Sequence, residues 1–299
     1  METQAKVTPY DGDFFEQLSA RSLASARIVL REVFTAVPVR SVVDVGCGVG
    51  SWLRAAHEFG ATRCLGIDGD YVDRTRLLVD TSEFRAQDLE NGRLTSVVRG
   101  GETFDLALSM EVAEHLSSGR AASFIGEICG LGDFVLFSAA IPDQGGTHHV
   151  NEQWPDYWAA LFDSQGFACF DVLRNRLWNE DGCDYWYIQN GLLFARRASA
   201  AAERLSRLGP PTQAPLALVH PRRFVQAVRE LSGERERLSW LSRENAAVLA
   251  SKSWRATAPL RWVTSRLLRG GVNKHRAGPR RGRDSGPVAA ADAASPAGS

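Results

Sequence analysis

A short β-branched run, Ser41 to Val45, leads straight into three glycines at alternate positions, Gly46-Cys47-Gly48-Val49-Gly50. Few folds accommodate this. The run is too short for a helix and too apolar for an exposed loop, so it reads as a buried strand. The glycines permit backbone conformations and close approaches that a Cβ would forbid. Ser51 to Gly60 then carries a helical pattern, with Gly60 as its stop. A strand, a glycine turn and a helix in that order aim the first amides of the helix at whatever binds there.

The same alternation continues downstream. Strands are predicted at Cys64 to Ile67, Phe84 to Gln87, Phe104 to Ser109, Phe134 to Ala139, Ala168 to Leu173 and Trp186 to Ala195. Helices are predicted over 14–37, 70–79, 111–116, 120–129 and 154–165. Strands alternating with helices imply right-handed crossovers and a largely parallel sheet covered on both faces. The last two strands, with only a loop at Asn179 to Asp184 between them, suit an antiparallel pair at one edge. Residues 1–197 therefore read as one domain and 198–220 as a linker. Residues 221–269 read as a helical appendage. From Gly270 to Ser299 the Gly, Arg, Pro, Ala and Ser content predicts a disordered tail.

Composition narrows the function classes. Thirty-five basic and 35 acidic side chains leave no formal net charge, which speaks against a nucleic-acid partner. The five cysteines (Cys47, Cys64, Cys129, Cys169, Cys183) are odd in number and form no CxxC pair, so neither a disulfide framework nor a zinc ribbon is expected. A reducing, cytoplasmic setting fits best. Met1 to Phe15 lacks the pattern of a signal peptide, and no stretch is long and apolar enough to span a bilayer. Any membrane contact would be at the inner surface.

The glycine spacing is GxGxG, whereas dinucleotide-binding turns use GxGxxG, and Ser51 stands where their last glycine or alanine would be. That disfavours a nicotinamide-dependent oxidoreductase. Asp44, just before the turn, has no counterpart in the dinucleotide pattern. The stretch resembles the first motif of class I S-adenosylmethionine-dependent methyltransferases, and the resemblance covers roughly residues 20–197. It implies a Rossmann-like α/β fold with a seven-stranded sheet and helices on both faces. It also implies that Asp44, Gly46, Cys47, Gly48 and Gly50 hold the methionine end of the cofactor. Asp68 would accept the ribose hydroxyls, Asp88-Leu89 would hold the adenine amino group, and Met110 would lie beside the cofactor.

The segment Glu111-Val112-Ala113-Glu114-His115 follows the fourth predicted strand. On a helix, Glu111, Glu114 and His115 share one face and suit a divalent cation such as Mg²⁺ or Mn²⁺. The stretch resembles the EVxEH segment of ubiquinone-biosynthesis O-methyltransferases and of small-RNA 2′-O-methyltransferases. In the latter, these residues and a later histidine hold a metal; His149 is the candidate here. Otherwise His149, or failing it His148, would be the general base, with Glu114 supporting it. A loop histidine held by a hydrogen bond is the plain alternative, and first-turn glutamates are also favoured by the helix dipole alone. Trp154, Tyr157, Trp178, Tyr185, Trp186 and Tyr187 suit sugar stacking, while Trp158 and Phe162 are expected in the core.

Two short segments, Gly145 to Trp154 and Ser251 to Arg261, resemble stretches of bacterial surface-polysaccharide enzymes. They direct the expected acceptor toward a sugar hydroxyl of a surface glycan or its precursor. RNA or a quinone-like molecule is the alternative acceptor, and a non-catalytic cofactor-binding scaffold the alternative role. Residues 252–269 interleave tryptophans with arginines and suit a peripheral membrane contact. The apolar stripe over 221–250, interrupted by Gly233, is too irregular to read as a coiled coil, and the oligomeric state stays open.

Overall fold

The computed structural model describes residues 12–98 and 100–264, with side chains from Ser19 onward. Helix α1 (Gly12–Ala36) precedes β1 (Ser41–Val45), and α2 (Ser51–Glu58) leads to β2 (Arg63–Asp68) and the short β3 (Phe84–Ala86). Next come β4 (Leu106–Met110), α3 (Ser118–Cys129), β5 (Phe134–Ser138), α4 (Pro155–Ser164) and β6 (Phe167–Phe170). Helices α5 (Leu173–Leu177) and α6 (Tyr185–Asn190) lie before β7 (Leu192–Arg196), and α7 (Ala200–Ser206) follows it. The seven strands form one sheet in the order β3-β2-β1-β4-β5-β7-β6, with β7 antiparallel to both neighbours. This is the Rossmann-like seven-stranded α/β sheet that the resemblance implies. Strand order reverses between β1 and β4, and a crevice at such a switch point, beyond the strand C-termini, is where ligands bind in open α/β sheets.

Alternation along the strands builds two cores. Val42, Leu106, Leu108 and Leu136 face α1 and α2 with Leu30, Val33 and Leu53. Val43, Val45, Ala107 and Val135 face the other way, onto α3 and α4 with Phe124, Ile128 and Phe162. Phe162 and Phe194 stack at 3.9 Å between ring centroids, pinning α4 to β7.

Four expectations differ in detail. Residues 70–79 hold a single 3₁₀ turn, Arg74–Arg76, in place of a helix. There the side chains of Asp73 and Asp80 accept from Thr75 N and Ser82 N, so they compete with a helix for the backbone donors. Residues 111–116 also form only a 3₁₀ turn, Ala113–His115. Glu111 sits outside it at φ 57°, because its amide is drawn to the carbonyl and hydroxyl of Ser138 on β5. The strand expected over Trp186 to Ala195 splits at Gly191 into α6 and β7. Tyr187 turns onto Trp52 of α2, at 5.1 Å between centroids, which a straight strand would not allow. Finally, the segment read as a linker is folded. Ser199 caps α7, Ala201, Ala202 and Leu205 are buried, and Thr212 N donates to Cys169 O.

The first compact unit runs to Arg229 and the second starts at Glu230. Helix α8 (Pro221–Ala250) crosses that boundary, and α9 (Lys252–Ala256) follows, capped by Ser251. Within the second unit the Arg261 guanidinium lies 3.6 Å from the Trp254 ring centroid. The tail expected from residue 270 lies outside the described residues, as does the end of 252–269. Among the described residues no helix is long and apolar enough to cross a membrane.

Because β7 is a central strand and Phe194 is fully buried, Phe194→Ala should cost about 3–5 kcal/mol of stability. Chemical denaturation reads this directly. A loss below about 1 kcal/mol would show that the Phe162–Phe194 stack does not hold α4 to the sheet.

Candidate active site

The glycine turn is tied to the end of β2. Gly46 N and Cys47 N both donate to Ile67 O, at 2.7 and 3.3 Å. Gly46, Gly48 and Gly50 all have positive φ, at 87°, 52° and 87°. At Gly46 a Cβ would also meet Val112 Cγ2 at 2.3 Å, so close approach and conformation both require glycine. Asp44 ends β1 almost fully buried, and its Oδ2 has no hydrogen-bond partner. Burial, and secondarily the neighbouring Asp68, pushes its carboxyl up to about 8. A buried acid without a partner fits a missing cationic ligand group.

Asp68, at the end of β2, is already engaged. Its Oδ2 accepts from Gly48 N at 2.7 Å, and its Oδ1 from Gly69 N at 2.6 Å and from the Tyr71 hydroxyl at 2.5 Å. Asp88 accepts from Glu90 N, Asn91 N and Asn91 Nδ2 at 2.9–3.1 Å, and these bonds, those of Asn91 first, hold it below the usual carboxylate range. A cleft of about 570 Å³ connects these groups. Asp88, Leu89, Asp68 and Tyr71 line one part of it, and Gly46, Val112, Glu111 and His115 line the rest. Cys47 and Met110 do not contribute side chains. Both are buried in the core shared with α1 and α2, where burial pushes the Cys47 thiol up. Only their main chain remains available to a ligand.

The acceptor-side residues separate into two groups, because Glu111 does not share a helical face with Glu114 and His115. Glu111 is half-buried and held by amides. Gln144 Nε2 donates to its Oε2 at 2.8 Å, and Asn190 Nδ2 to its Oε1 at 3.0 Å. Burial raises its carboxyl, against these donors. The amides continue inward, since Asn190 and Gln189 both donate to Gln144 Oε1, and Gln189 accepts from His220 N.

Glu114, His115 and His149 form the second group, with one ligand atom from each lying within 4.8 Å of the others. Glu114 is fully buried and neither carboxylate oxygen has a hydrogen-bond partner. Burial, then Glu111, pushes it well above the usual range. The rings of His115 and His149 meet edge to face at 4.8 Å, and His149 Nδ1 lies 2.8 Å from Glu152 Oε1. The imidazole lining the cleft is that of His115, with His149 behind it. Burial, and then His149, lowers His115, keeping it neutral. His148 has φ 61°.

Several of these groups carried no sequence signal. Tyr71, Gln144 and Asn190 belong to no motif, and Glu152, though inside the Gly145 to Trp154 segment, has no role assigned by it. The aromatic side chains expected to stack on sugar are elsewhere. Tyr157 packs on Trp158, Trp178 lies beside His220, Tyr185 and Trp186 pack on each other, and Tyr187 meets Trp52, while Trp158 is in the core against Phe137 as expected. The aromatic ring lining the cleft is Tyr71.

Gly46→Ala combines left-handed strain of about 1–2 kcal/mol with overpacking of about 1–3 kcal/mol against Val112. The variant should melt well below the parent and lose cofactor binding. An unchanged melting temperature would show that the turn does not need glycine there.

A family model described as a methyltransferase domain matches residues 15–181, more than half of the chain. No curated protein sequence matches it. Similar solved structures include an O-methyltransferase family protein from Burkholderia thailandensis, at 15% identity and TM-score 0.46, covering 63% of this chain and 58% of that one. A SAM-dependent methyltransferase from Archaeoglobus fulgidus shares 20% identity at TM-score 0.42, covering 52% and 75%. The sugar N-methyltransferase KedS8 from Streptoalloteichus sp. shares 13% at TM-score 0.48, covering 66% and 97%. This chain spans little more than half the length of the Burkholderia protein, and these identities are too low to transfer a substrate. The matched residues contain the glycine turn, both acids that follow it, Glu111, Glu114, His115 and His149: the chain belongs to the methyltransferase-domain family.

Proposed function

We propose that the chain transfers a methyl group from S-adenosylmethionine to a hydroxyl, that of a sugar in a bacterial surface glycan or its precursor. The carrying observation is the one cleft that Asp68, Asp88 and Leu89 line together with Glu111 and His115. It would hold the nucleoside beside the first group and the reacting methyl near the second. Asp44 would pair with the methionine amine, the cation its buried carboxyl lacks. The ribose hydroxyls would replace the Tyr71 hydroxyl on Asp68. Asp70, Asp88, Glu90 and Glu111 all line the cleft, and this acidic lining disfavours a phosphate-rich RNA acceptor. The Glu111 carboxylate and the His115 imidazole at its far end suit a polyhydroxyl acceptor.

The sulfonium is already an activated leaving group, so alignment of oxygen, methyl and sulfur supplies most of the catalysis. The hydroxyl proton passes to the His115–His149 pair, which Glu152 orients through His149 Nδ1. Alternatively, Glu114, His115 and His149 hold a divalent cation in place of the proton, since Glu114 brings two unpartnered oxygens. Two imidazoles and one carboxylate suit Mn²⁺ better than the all-oxygen preference of Mg²⁺. Such an ion would lower the pKa of the acceptor hydroxyl. Glu111, held by its amides, stands outside that donor set.

Asp44 sets the pH dependence. Its folded value, about 8, lies above its unfolded value near 4, so the ligand-free fold binds a proton that the unfolded chain has released. Stability should therefore fall as pH rises from about 4 to about 8. Cofactor binding expels that proton, so affinity for S-adenosylhomocysteine should rise over the same range, by up to about tenfold per pH unit well below 8 and levelling off above it. Calorimetric titration from pH 6 to 8.5 measures this, and Asp44→Asn should abolish the slope. No binding by folded protein at any pH would sink the methyltransferase reading and the cofactor-binding scaffold with it; binding without turnover would leave the scaffold role.

His149→Ala should abolish methyl transfer to deoxy- and aminosugar glycans while leaving S-adenosylhomocysteine affinity nearly intact. Adding Mn²⁺ after chelation should restore activity in the parent and fail in Glu114→Gln. Full activity in the chelated parent would remove the cation from the proposal.

A further inference from the structure

Helix α8 is continuous for 30 residues, through Gly233, and none of them is buried. At about 1.5 Å per residue it is roughly 45 Å long. A free helix this apolar on one side is marginal in water, because most helical stability comes from packing that side. Phe224, Leu231 and Leu238 remain 63%, 54% and 63% exposed, with Leu241 and Val248 close behind.

Unbroken helix turns the irregular stripe into a heptad frame. Phe224, Leu231, Leu238 and Asn245 are spaced by seven, as are Ala227, Glu234, Leu241 and Val248, three or four residues away. These are the a and d positions of a two-stranded seam, six of the eight apolar. Asn245 at an a position is the residue type that fixes register and a two-stranded state. Glu234 lies 3.9 Å from Arg237 on its own helix, which moderates its cost at a d position. The flanking charges choose the orientation. In a parallel, in-register pair Glu230 (g) faces Arg235 (e) of the other helix, twice by symmetry. A fully overlapping antiparallel pair would set Arg237 against Arg237 and Glu230 against Glu244, like against like.

We infer that α8 binds α8 of a second copy of this chain as a parallel two-stranded coiled coil over residues 224–248. The two segments that follow Ala250 then leave from the same end.

Light scattering on the full chain should give twice the 32.7 kDa chain mass at tens of micromolar. The double variant Leu231→Arg, Leu238→Arg should be monomeric with an unchanged melting temperature and unchanged S-adenosylhomocysteine binding, since both side chains are exposed. Asn245→Cys should cross-link nearly completely under mild oxidation, because a positions face each other in a parallel pair. The native cysteines described are all buried and form no background. A monomeric parent overturns the inference, including one that binds anionic vesicles through this face. A dimer in which Asn245→Cys does not cross-link overturns the parallel register.

Discussion

Everything at this site depends on two backbone hydrogen bonds, from Gly46 N and Cys47 N to Ile67 O. They join the exit of β1 to the exit of β2 and hold the turn with its three alternate glycines, Gly46, Gly48 and Gly50, all at positive φ. Asp68 reinforces the same junction by accepting from Gly48 N. The turn is thus shaped before any ligand arrives. The residual stress is electrostatic: Asp44 is buried beneath it without a partner, where its carboxylate form is disfavoured.

The opposite wall follows the same logic with different parts. The exit of β4 is tied to the exit of β5, through Glu111 N and Ser138. That bond forces Glu111 into a left-handed conformation, so the following residues never become an α-helix. The loop after β5 then takes over, with Val150 N and Asn151 N donating to Glu114 O and bringing His149 against His115. Glu111 is passed to Gln144 and Asn190. A motif that reads as one helical face is divided into two chemical groups, one on an amide network and one around two imidazoles.

Legibility differs between the halves of the site. Asp44, the glycines, Asp68 and Asp88 were readable because each sits at the end of a strand, and strand ends are marked by local signals. Cys47 and Met110 share those ends but alternate to the other face, which spacing within the motif did not separate. Tyr71 and Asn190 carry no signal, since each reaches the site through tertiary contacts with no period or motif to follow. The linker was misread for a related reason. Its alanines and prolines look unstructured until Ala201, Ala202 and Leu205 find a surface to bury against.

The sequence by itself determined the sheet, because alternating apolar runs and glycine turns leave a parallel, doubly covered arrangement as the way to bury them. It also determined where that sheet would bind a ligand, since the GxGxG turn requires glycine for steric reasons local to the chain. Only tertiary structure decided which side chains act together. Glu114, His115 and His149 meet, and Glu111 departs, through bonds between segments distant along the chain, and no local preference encodes those. The same holds for α8. Its residues are ordinary one by one, and only continuity through Gly233 puts them on a single seam that water alone would not leave uncovered.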